Sequence, residues 1–130
     1  MSTLQTDLGT IALDVAGTYY SGVLDTQRAA SLGMTFSLAN TTSPSVACTI
    51  ELSNDVPSSG SYLDNGWQPA SGSWFTAYSG GVAITATMTS DGILPLGVAA
   101  DGLLFRWARA KVVTGSPYVG GTISLTALTK

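Results

Sequence analysis

Histidine, the side chain that most often moves protons near neutral pH, is absent from this sequence. With no His and a single Cys, no cluster has the ligands a zinc site needs. Cys48 alternates with Val46, Ile50 and Leu52, which puts the thiol on an apolar strand face without a basic neighbour to hold a thiolate. It reads as a core residue. The carboxylates are Asp7, Asp14, Asp25, Glu51, Asp55, Asp64, Asp91 and Asp101, and no spacing among them sets two across a cleft as glycoside hydrolysis requires. Asp91-Gly92 and Asp101-Gly102 read as turns in which Asp bonds its own backbone and Gly supplies positive φ. Asn54-Asp55 and Asp64-Asn65 offer oxygens to calcium, but lack EF-hand spacing and read as loop residues. Gly80-Gly81 and Gly120-Gly121 are followed by no Lys-Ser or Lys-Thr, so they read as turn glycines and not as phosphate loops. The expectation is a chain with no catalytic residue, no metal and no cofactor.

Aromatic and cationic residues carry the remaining chemistry. Tyr62, Trp67, Trp74, Phe75 and Tyr78 fall within 17 residues around a Ser/Gly-rich stretch. Such rings either stack on sugars or cover a core edge or protein interface, and the second use is favoured. Arg106, Arg109 and Lys111 place three of the five cations in one strand. An arginine in mid-strand needs a carboxylate or carbonyls to offset its desolvation. One of Arg106 and Arg109 is therefore expected in a structural ion pair and the other toward solvent or a neighbouring subunit; the sequence does not say which.

The elements that must hold these residues are strands. Apolar residues recur at a spacing of two through Ile11-Leu13-Val15, Leu32 to Leu38, Val46 to Leu52, Ile84 to Met88, Leu103-Phe105-Trp107 and Ile123 to Ala127. Tyr19 to Asp25 and Trp74 to Tyr78 are weaker candidates. Gly, Pro, Asn and Asp punctuate the intervals, so the expected fold is all-β: an antiparallel β-sandwich, jelly-roll-like, of about eight strands. Residues 1–130 read as one such domain. The Val56 to Asn65 stretch reads as a surface loop, and Pro95 and Gly97 argue against a helix over Ile93 to Asp101.

Only 10% of the residues are charged, against about 25% in a typical soluble domain. Sixteen Ser and 17 Thr carry the solvation instead. The net charge of −3 and five scattered cations make no basic stripe, so nucleic acid is not an expected partner. No apolar run reaches the 18 or so residues of a membrane helix, and residues 1–9 lack the apolar core of a secretory signal. The expectation is neither membrane insertion nor export by that route.

Several motifs in order carry a resemblance: Thr49-Ile50-Glu51-Leu52-Ser53-Asn54-Asp55, then Trp67, then Phe105-Arg106-Trp107-Ala108-Arg109-Ala110-Lys111-Val112, then Gly121-Thr122-Ile123-Ser124-Leu125. The chain from about residue 45 onward resembles small β-sandwich virion structural proteins of tailed bacteriophages. The first 44 residues match only in strand-like texture, and the long Ser-rich loop before Trp67 departs from the pattern. The resemblance implies a non-enzymatic capsid decoration, cement or minor capsid protein, located in the virion and assembled in the host cytoplasm. Its implied partners are copies of itself, as a homo-oligomer, and other virion proteins such as the major capsid protein. The alternatives are a neck or tail accessory protein, or a carbohydrate-binding adhesive module with a glycan as ligand. Tyr62, Trp67, Trp74, Phe75, Tyr78, Arg106 and Arg109 are the candidate contact residues.

Overall fold

Alternation at a spacing of two gives each strand one apolar face, and two such sheets bury those faces against each other. The computed structural model describes residues 4–26, 29–41, 45–53, 74–99, 105–115 and 120–130. Among them are twelve strands and no helix: β1 (Leu4–Ala12), β2 (Gly17–Tyr20), β3 (Leu24–Asp25), β4 (Leu32–Ala39), β5 (Val46–Ser53), β6 (Phe75–Thr76), β7 (Tyr78–Ser79), β8 (Val82–Ala83), β9 (Thr85–Met88), β10 (Gly92–Val98), β11 (Trp107–Thr114) and β12 (Thr122–Thr129). β3, β6, β7 and β8 hold only two residues each, which leaves eight longer strands to build the sandwich.

The first sheet has the order β1-β12-β4-β10, and the second β2-β11-β5-β6, with β3 also on β11 and β9 also on β5. All pairings are antiparallel, and they nest: β1 with β12, β2 with β11, β4 with β10, β5 with β9. The all-β antiparallel sandwich expected from the sequence is thus present. Leu32, Met34, Phe36 and Leu38 of β4 and Ile123 and Leu125 of β12 are buried with Val46, Cys48, Ile50 and Leu52 of β5 and Val112 of β11 in one apolar cluster. Each such side chain contributes about 1.5–3 kcal/mol by leaving water.

Three details differ from the periodic reading. β1 starts at Leu4 and ends at Ala12, so Val15 lies beyond it and is exposed, while Leu13 is still fully buried. The register shift between Asp7 and Gly9 explains this: Gly9 has φ 102° and its N–H donates to Asp7 Oδ1 at 2.8 Å, a bulge that hides the alternation of the first half. β11 starts at Trp107, and its core face is Ala108, Ala110 and Val112, so Trp107 and Arg109 point to the outer face. Asp91 does not bond its own turn. Its carboxylate accepts the backbone N–H of Asn40 at 2.9 Å and of Thr41 at 3.2 Å, and the Thr41 hydroxyl donates to it as well. That clamp holds Asn40 at φ 62° where β4 ends beside β10.

Gly80 and Gly81, at φ 59° and 79°, join β7 to β8 through a two-residue hairpin turn, as turn glycines should. The Asn54-Asp55, Asp64-Asn65 and Asp101-Gly102 readings lie outside the described residues.

Candidate functional site

The outer face of the second sheet is where the sequence's chemistry gathers. β5 and β11 pair with Glu51 opposite Arg109 and Thr49 opposite Lys111. Arg109 Nε donates to Glu51 Oε1 at 3.0 Å, and Lys111 Nζ lies 3.9 Å from Glu51 Oε2. The Arg109 and Glu51 side chains are only 11% and 8% exposed, so the pair is largely desolvated. Of the two arginines, Arg109 is therefore the structural one.

Its guanidinium is also clamped between rings. Cζ lies 3.8 Å from the centroid of Tyr20 and 4.2 Å from that of Trp74. Cation–π contacts of this kind contribute about 0.5–2 kcal/mol each, more where water is excluded. The Trp74 Nε1–H is buried and has no hydrogen-bond acceptor among the described residues. The arrangement ties an edge residue of β2 and the residue preceding β6 onto the central strands. A guanidinium bonded to Glu51 and lying against two rings is a structural element.

Arg106 is placed differently. Its Nη2 is 3.7 Å from Asp25 Oδ2, with side chains 41% and 50% exposed, and its guanidinium lies 4.7 Å from the Trp107 ring centroid. An ion pair this solvated is worth about 0–1 kcal/mol. Trp107 itself is buried on the outer face, opposite Ser53 and Asp25, apart from the apolar cluster between the sheets.

The aromatic run does not form one platform among the described residues. Trp74 stacks on Arg109, whereas Phe75, paired with core-facing Leu52, meets Phe105 edge-on at 4.6 Å. Tyr78 lies in β7 and remains exposed, as does Phe75. Tyr62 and Trp67 lie outside the described residues. Tyr20 and Glu51 belong to the cluster although the sequence did not single them out as contacts. Glu51 is the one charge in β5, and its partner emerges only from the strand register.

Cys48 is free and fully buried, and burial pushes its thiol up to about 12. Among the described residues, no group of three His, Cys, Asp or Glu could hold a metal ion, and no helix is long and apolar enough to cross a membrane.

No protein-family model matches the chain, and no curated protein matches its sequence. Solved structures do match its shape. The SPBc2 prophage-derived protein YomS superposes with a TM-score of 0.54 at 9% identity, covering 98% of this chain and 92% of that one. The PBSX exported protein XepA gives a TM-score of 0.62 at 14% identity over 97% of this chain and 36% of XepA, so this chain corresponds to about a third of that protein. At such identities the likeness is one of architecture: this chain has the all-β sandwich fold found in small phage-derived proteins.

Proposed function

We propose that this chain is a non-enzymatic structural protein of a bacteriophage virion, a capsid decoration or minor capsid subunit. It works through noncovalent contacts with copies of itself and with other virion proteins, the major capsid protein among them. The observation that supports this most is the distribution of charge over a fold shared with a prophage-derived protein along nearly the whole of both chains. β4, β10 and β12 contain no charged residue, and β1 adds only Asp7 to their sheet. A flat sheet surface of hydroxyls and small apolar groups suits permanent coverage better than life as a free monomer. Exposed Phe75 of the second sheet and exposed Tyr78 of the β7-β8 hairpin are the proposed contact residues, with Arg106, which follows the Phe105 that Phe75 meets, and with Arg109 as the support beneath Trp74.

The test is the protein composition of purified particles, measured by quantitative mass spectrometry. The chain should be present in the particle at a copy number matching a capsid lattice. A copy number fitting a single ring would move it to the neck or tail, and its absence from particles would overturn the reading.

A further inference from the structure

We draw no further inference here: the strongest candidate, the uncharged outer face of β4, β10 and β12 with its groove of about 290 Å³ lined in part by Gly33, carries nothing because no feature of the structure shows what covers it.

Discussion

Arg109 and Glu51 face each other across β11 and β5, joined at 3.0 Å and almost closed off from water, while Tyr20 and Trp74 cover the guanidinium. Removing one member of such a pair leaves the other largely desolvated, with Lys111, 3.9 Å from Glu51 Oε2, as the weaker partner kept by that carboxylate. Glu51→Leu should cost about 3–5 kcal/mol and Arg109→Met less, since Lys111 stays beside Glu51, and combining the two substitutions should recover most of the larger loss. Urea denaturation of the three variants, read as a double-mutant cycle, checks it. Additive losses would mean that the pair is not coupled.

Trp74 lends itself to a separate test because its ring and its N–H act in opposite directions. The ring covers Arg109, and the indole N–H is buried without an acceptor among the described residues. Trp74→Ala should destabilise by about 2–4 kcal/mol through lost cover. Trp74→Phe keeps a ring over the cation and removes the unpaired donor, so it should recover the greater part. Thermal melts of both variants decide this. If the alanine variant kept its melting temperature but lost binding to a glycan array, the ring would be serving a sugar and not Arg109.

Strand content and the buried face of β5 were legible in the sequence because a half-buried strand alternates with period two whatever it pairs with. Cys48 fell where Val46, Ile50 and Leu52 put it. Which arginine takes the ion pair was not legible, because a period places side chains on a face but says nothing about register. Only the pairing of Arg109 with Glu51 settles it. Trp107 illustrates a second limit. An aromatic beside arginines reads as core, yet small Ala108 and Ala110 take the core face and turn it outward. The β1 bulge is a third, since the extra residue, Leu8, breaks the alternation that would reveal the strand.

Asp91 gives the fold an acid dependence. Its carboxyl is held below the ordinary carboxylate range, first by the Thr41 hydroxyl, whose effect outweighs the opposing one of desolvation, and then by the backbone N–H groups of Thr41 and Asn40. A carboxyl whose folded pKa is depressed contributes stability above its unfolded value, 3.8, and loses it as the pH falls through the folded value. Asp91→Asn should therefore lower the urea midpoint at pH 7, and the gap to wild type should narrow as the pH falls below 3.8 and through the lower folded value. A gap unchanged across that range would show that the charge on Asp91 plays no part.

The buried thiol reports on opening of the sandwich. With its pKa pushed up to about 12 and no exposed surface, Cys48 presents no thiolate to a reagent at pH 8 while the sheets remain packed. Labelling by a maleimide or an aromatic disulfide should be slow in the native protein and should accelerate with urea in step with loss of the near-ultraviolet signal. Rapid labelling in buffer would mean that the β5 edge of the core opens without global unfolding. Cys48→Ser should destabilise by about 1–3 kcal/mol, since it puts a hydroxyl into the same apolar site.

Gly121 contrasts with Gly33 and Gly97, which face each other across β4 and β10. It sits at φ 83°, and a Cβ there would strike the Ala39 carbonyl oxygen and come within 2.8 Å of the Asn40 carbonyl. Its own carbonyl accepts the Leu13 N–H at 2.9 Å, so the start of β12 is pinned where β1 and β4 converge. Gly121→Ala therefore has to strain the backbone and displace main chain, with an expected cost of about 2–4 kcal/mol. Gly33→Ala and Gly97→Ala, which meet only ordinary contacts, should leave the monomer unchanged or slightly more stable. Chemical denaturation of the three alanine variants separates a glycine that the fold requires from two that it does not. Equal losses at all three positions would mean that positive φ and the close carbonyls do not set the cost at Gly121.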